Sequence, residues 1–181
     1  MTRIAASYES VNRSLTAVLE SVPETAWDKD SPCAGWTARD VVAHLVTTQR
    51  EFLAQHGVDL GAEPDVAADP AAAWREHSAR VLAAVSDEAV AERGFDGFFG
   101  PTTVGAALEQ FYVWDMVVHR WDVARATGGD AGLTAEELDR IERGADGFGE
   151  ALYMEGICRP AVEVPADADR ASRVLARLGR Q

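Results

Sequence analysis

Lysine is all but missing from this chain. Among its 181 residues Lys29 is the only one, and the remaining basic residues are arginines. A Walker-type phosphate loop needs a Gly-Lys-Ser/Thr run, and the sole lysine lies in Asp-Lys-Asp, so that chemistry is excluded. Cysteine is scarce as well: Cys33 and Cys158 lie far apart, with no Cys-x-x-Cys, and a cytosolic chain would keep both reduced. No apolar run approaches the ~20 residues that a membrane span needs. The opening stretch, MTRIAASYES, has no apolar signal core. The expectation is a cytoplasmic protein without a membrane partner. GxGxxG, HExxH and GxSxG are absent. No Glu-x-x-His pair occurs, which disfavours a carboxylate-bridged di-iron bundle. Net positive charge is missing too. A charge of −13 opposes phosphate backbones, so nucleic acid is not an expected partner.

What is present is apolar substance. Hydrophobic residues make up 47% of the chain, which suits one folded domain over residues 1–181 with a substantial core. The abundance of alanine, and of arginine over lysine, points to a GC-rich genome, a codon effect without functional content.

The pattern along the chain is helical. Ile4, Tyr8, Val11, Leu15, Val18 and Leu19 recur at helix spacing, which predicts a helix over about 2–21 ended by Pro23. Residues 22–36 form a loop with Trp27 and Trp36 as anchors. Thr37 and Asp40 form a capping-box-like pair that starts a second helix, and Gly57 stops it. Residues 57–69 read as a loop. Pro70 opens a third helix over about 70–86, with Trp74, Val81, Leu82 and Val85 on its buried side. The run RGFDGFFGP (93–101) suggests a packed loop or a short extended pair. A fourth helix spans about Thr103 to Thr127 and closes at Gly128-Gly129. A fifth begins with the capping box of Thr134 and Glu137 and runs to about Glu155. The tail begins extended, and a short helix follows from Asp169. The predicted class is all-α: a bundle of four main helices with extra elements.

One stretch does not fit a plain core helix. VWDMVVHRWD (113–122) places Asp115, His119 and Asp122 within one narrow sector, on the face shared by Leu108, Phe111, Val118 and Ala126. A buried carboxylate without a partner would have its pKa raised by up to ~3–5 units, so Asp115 needs a compensating group. A metal ion is one candidate, since i and i+4 side chains are close enough to be bridged by a cation. A plain Asp–His hydrogen bond is another, and spacing alone favours it. A catalytic zinc needs three protein ligands and an open position. His56 sits at a helix end and His77 lies beside Glu76 and Ser78. His44 lies mid-helix, at the border of the stripe of Val41, Leu45 and Phe52, where a facing helix can meet it. Asp40 and His44 are also four apart, but the cap accounts for Asp40.

Two segments, SPCAGWTARDVVAHL (31–45) and DMVVHRWDVARATG (115–128), resemble the metal-binding domains of the mycothiol-dependent maleylpyruvate isomerase family, within the DinB-like helical bundles. VEVPADADRASRVLARLGR (162–180) resembles the short, single-domain branch of that family. The resemblance implies a DinB-like four-helix bundle. It also implies a divalent metal, typically zinc, with Ni²⁺ or Fe²⁺ as the other candidates. His44, Asp115 and His119 match the family's ligand positions. The isomerase has Glu where Asp115 stands, one methylene longer. It also has a C-terminal domain that a chain of this length does not accommodate, so isomerase activity proper is not implied. Asp122 matches the Trp-Asp of the family's helix motif and is expected to fix a histidine or a loop backbone from outside the ligand set.

The remaining candidates have competing structural explanations. Trp36 and Arg80 are the candidates for substrate contact, against core packing for Trp36 and surface ion pairing for Arg80. Arg120 invites the same ion-pairing reading. Trp114 and Trp121 suit a core. Cys33 and Cys158 are expected to be small packed residues, since nothing in the sequence would activate their thiols. Three functions stay open: an enzyme that uses mycothiol as cosubstrate against an electrophilic small molecule, a metal-binding module without chemistry, and a helical protein with an empty polar cluster. A homodimer is one assembly open to such a chain.

Overall fold

Helix starts in this chain are set by side chains that take up otherwise unpaired backbone amides. In the computed structural model, which describes residues 1–181, Thr2 accepts from the Ala5 amide and opens α1 (Arg3–Ser21). Thr37 and Asp40 form the full capping box of α2 (Ala38–Gln55). Asp69 caps α3 (Pro70–Val85), with Pro70 in its first turn. A single turn, α4 (Glu88–Ala91), leads into an antiparallel hairpin of β1 (Gly94–Gly97) and β2 (Gly100–Thr103), with Phe95 opposite Thr102. The expected short extended pair is this hairpin.

The fourth predicted helix is interrupted. Thr103 caps α5 (Val104–Ala107), a π-helical segment follows over Leu108–Val113, and α6 (Trp114–Thr127) completes it. A π turn holds more residues than an α turn, so α5 is rotated relative to the even 100° register read from the sequence. Leu108 is fully buried in the core, while Phe111 lies at the cavity described below. Gly128 closes α6 in the left-handed region, at φ 82°, where a side chain would cost energy.

Thr134 and Glu137 cap α7 (Ala135–Phe148) as expected. This helix ends seven residues before Glu155, because Gly149 adopts φ 54° and ψ −130° and turns the chain out of helix. A 3₁₀ segment, Gly149–Tyr153, follows. Asp169 accepts from the Ser172 amide and starts the tail helix α8 (Arg170–Arg177).

The helices α1, α2, α3 and α6 close into a bundle: α1 packs on α3 and α6, and α2 packs on the same two. Their apolar stripes meet in one core, with Tyr8 and Leu15 from α1, Leu45 from α2, Trp74 from α3 and Met116 from α6. Each large side chain removed from water contributes roughly 1.5–3 kcal/mol. α7 lies on α6, and α8 on α7. No helix is long and apolar enough to cross a membrane.

Candidate metal centre

Asp115 and His119 of α6 meet His44 of α2, and the two helices pack directly. His44 Nε2 lies 3.1 Å from Asp115 Oδ2, and His119 Nε2 lies 3.2 Å from Asp115 Oδ1. The two imidazole rings are 5.0 Å apart, centre to centre, edge to face. The donor atoms of all three residues fall within 4.8 Å of one another. A tetrahedral site with ~2 Å bonds has donor–donor edges of about 3.3 Å, so the three side chains can close on one cation with small adjustments. His119 is almost fully buried, whereas the side chains of His44 and Asp115 keep 26% and 22% of their surface open. The cluster therefore has one accessible side.

The three groups are electrostatically coupled. Burial disfavours charge on Asp115, but His119 and then His44 outweigh it, holding the carboxyl well below the ordinary range. Burial likewise opposes charge on His119. Asp115 first, then the bonds to Asp122 and Cys33, hold its pKa well above 6.5.

Asp122 stands behind His119. Its Oδ2 lies 2.8 Å from His119 Nδ1 and accepts from that ring nitrogen, which leaves Nε2 to face Asp115. Asp122 is itself fully buried. Burial pushes its pKa up, but His119 and Arg180 together hold it down. Arg180 reaches in from the segment after α8, with Nε 2.9 and 3.1 Å from the two carboxylate oxygens. Cys33 completes the group. Its thiol donates to Asp122 Oδ2 at 3.3 Å and lies 4.0 Å from His119 Nδ1. Cys33, expected to be a small packed residue, lies against the acid that holds His119. No local pattern announces this contact, since 89 residues separate Cys33 from Asp122.

The accessible side opens into a cavity of about 740 Å³. Trp36, Phe111, Trp114 and Phe148 form apolar walls, and the far wall comes from residues 153–160 and 178–180. Trp36 lies on this wall with its ring 4.8 Å from that of His44. Trp114 is nearly buried and donates its indole N–H to the Ile141 carbonyl, 3.1 Å away. Cys158 also lines the cavity, and burial pushes its thiol pKa up.

Arg80 lies elsewhere. It donates to the Leu60 and Ala62 carbonyls and pairs with Glu76, so it ties the 57–69 loop to α3 and does not line the cavity. Arg120 is fully buried and grips both oxygens of Glu137 at 2.7 and 2.6 Å, joining α6 to α7. Trp121 is half-buried and does not border the cavity. His56 packs its ring against Phe52 and Phe95. His77 sits in the core, 3.1 Å from Gln49 Oε1.

A bundle of this topology, with a His–Asp–His cluster between two of its helices, is of the DinB-like class. A family model described as the mycothiol maleylpyruvate isomerase N-terminal domain matches residues 8–124, more than half of the chain. The chain belongs to that family. No curated protein and no solved structure matches it. The matched residues include Cys33, His44, Asp115, His119 and Asp122, while Cys158 and Arg180 lie beyond them.

Proposed function

We propose that this protein binds a divalent cation, zinc foremost, through His44, Asp115 and His119, and uses it to activate a low-molecular-weight thiol. The observation that carries this reading is the meeting of two imidazole Nε2 atoms with the two oxygens of one carboxylate, at 3.1 and 3.2 Å, on the open side of a cavity. Two nitrogens and one carboxylate oxygen suit zinc, and also Ni²⁺ or Fe²⁺. A zinc ion held there would offer a further position to a thiol and favour its thiolate near neutral pH.

The chain's own residues supply the rest. Asp122 fixes the His119 ring so that Nε2 faces the site. Trp36, Phe111 and Phe148 restrict water and offer apolar surface to an electrophilic substrate. The family's description points to mycothiol as the thiol. The reaction class is attack of the thiolate on an electrophilic carbon: it either displaces a leaving group, which departs with its bonding pair as the thioether forms, or adds to a conjugated double bond and is expelled again after rotation, giving the cis–trans isomer. Residues 1–181 act here as one helical domain.

Metal analysis of the purified protein beside His44→Ala and His119→Ala tests the site. The expected result is about one zinc per wild-type chain and loss of most of it in each variant. Full metal content in both variants would overturn the reading. Consumption of mycothiol with a panel of electrophiles then tests the chemistry. Metal binding without thiol consumption would identify a binding module in place of an enzyme.

A further inference from the structure

A second donor set lies beside the first. Cys33, His119 and Asp122 also bring their ligand atoms within 4.8 Å of one another. A second cation there would have to displace a guanidinium. Arg180 already takes both oxygens of Asp122 with Nε, and its second terminal nitrogen lies 2.9 Å from Oδ2 and 3.8 Å from Cys33 Sγ. The same side chain donates to the Leu178 carbonyl at 3.1 Å, which fixes its stem against its own turn. The second set is a hydrogen-bonded support for the first.

We infer that Arg180 is a positioning residue for the metal centre: through Asp122 it holds the His119 ring in the orientation that presents Nε2 to the cation. This rests on the metal reading above. The chain of contacts is continuous, from Arg180 to Asp122, from Asp122 to His119 Nδ1, and from His119 Nε2 to the Asp115 side of the site. Asp122 is fully buried and Arg180 is 8% exposed, so water does not replace either partner. A buried carboxylate that lost its guanidinium would seek other donors. His119 Nδ1 and the Cys33 thiol are the groups within reach, and both would shift. A carboxylate that orients a ligand histidine normally affects metal affinity by 10–100-fold, and Arg180 acts by keeping that carboxylate in place. The segment carrying Arg180 also forms part of the cavity wall.

The test uses the full chain as wild type, Arg180→Gln and Arg180→Lys. Zinc affinity is measured by chelator competition, and the His119 Nδ1–H signal is read from ¹⁵N-imidazole spectra of metal-free protein. Circular dichroism reports the fold. Arg180→Gln is expected to bind zinc ~10–100-fold more weakly and to move the His119 Nδ1–H signal away from its wild-type position. Arg180→Lys, which keeps the charge without the two-pronged geometry, should fall between. If either readout in Arg180→Gln stays at its wild-type value while only the melting temperature drops, Arg180 merely docks the tail and the inference is wrong. Should Arg180→Gln fail to fold, the same two readouts on Arg180→Lys decide. If wild type takes up no zinc, the proposed function falls. The Nδ1–H comparison then decides the positioning role by itself.

Discussion

Glycine in the middle of a helix is usually a position to improve, and Gly144 of α7 is expected to be the opposite. Replacing it with alanine favours the helical backbone by about 1 kcal/mol. Against this stands the indole of Trp114. A methyl built on Gly144 falls well inside van der Waals contact with Cδ1 and Nε1 of that ring, and 3.0 Å from Cγ. Trp114 is nearly buried, so the ring has little room to retreat. Overpacking of this kind costs about 1–3 kcal/mol. Moving the ring also strains its hydrogen bond to the Ile141 carbonyl, and a buried donor left without a partner costs a further 1–3 kcal/mol or so. The unfavourable terms win, and Gly144→Ala should lose about 2–3 kcal/mol of stability. For a chain of this size that is a fall of roughly 4–12 °C in melting temperature. Urea unfolding followed by circular dichroism measures it, with Trp114→Leu and the double variant completing a cycle. With leucine at 114 the clash should largely vanish, and alanine at 144 should become neutral or stabilising. A Gly144→Ala protein as stable as wild type would refute the reasoning. So would an equal loss in the Trp114→Leu background.

Two further outcomes follow from the buried polar groups. His77 is buried, and burial first, then Arg50 and Arg80, lower its pKa from 6.5 to about 3. Above pH 6.5 the ring is neutral in both folded and unfolded chains. Between 6.5 and 3 the unfolded chain takes up a proton that the folded one refuses, so stability falls with pH by up to about 1.4 kcal/mol per unit. His77→Leu should flatten the decline between pH 6 and 4 by close to one proton in urea titrations, and an unchanged slope would show that burial does not hold the imidazole neutral. Glu137→Gln should cost about 3 kcal/mol or more by chemical denaturation, since it leaves the fully buried Arg120 guanidinium facing a neutral amide. A loss below about 1 kcal/mol, the range of exposed pairs, would mean that water reaches the pair.

Much of the bundle can be read along the chain because its signals are local. Thr37 with Asp40 and Thr134 with Glu137 mark helix starts through side chains three residues from their own caps. Pro70 and Gly128 mark a start and a stop through backbone geometry that each carries by itself. α7 stops short of its expected end at Glu155, because Gly149 turns the backbone out of helix. The π segment at Leu108–Val113 is not legible in the sequence. Periodicity assumes an even rise, and nothing in those six side chains announces an extra residue per turn.

The candidate site divides along the same line. Asp115, His119 and Asp122 share a face of one helix, so their proximity follows from helix geometry alone. That much, with the bundle and its caps, the sequence determined by itself, since residues three or four apart on a helix have no other arrangement. The meeting with His44, 71 residues from Asp115, depended on how α2 packs against α6. The arrival of Cys33 and of Arg180, 58 residues beyond Asp122, depended on where the 22–36 loop and the segment after α8 run. No periodicity relates side chains so far apart. Only the closing of the core, which fixes where each loop must run, brings an arginine from the tail against a buried carboxylate and sets the histidine that the carboxylate holds.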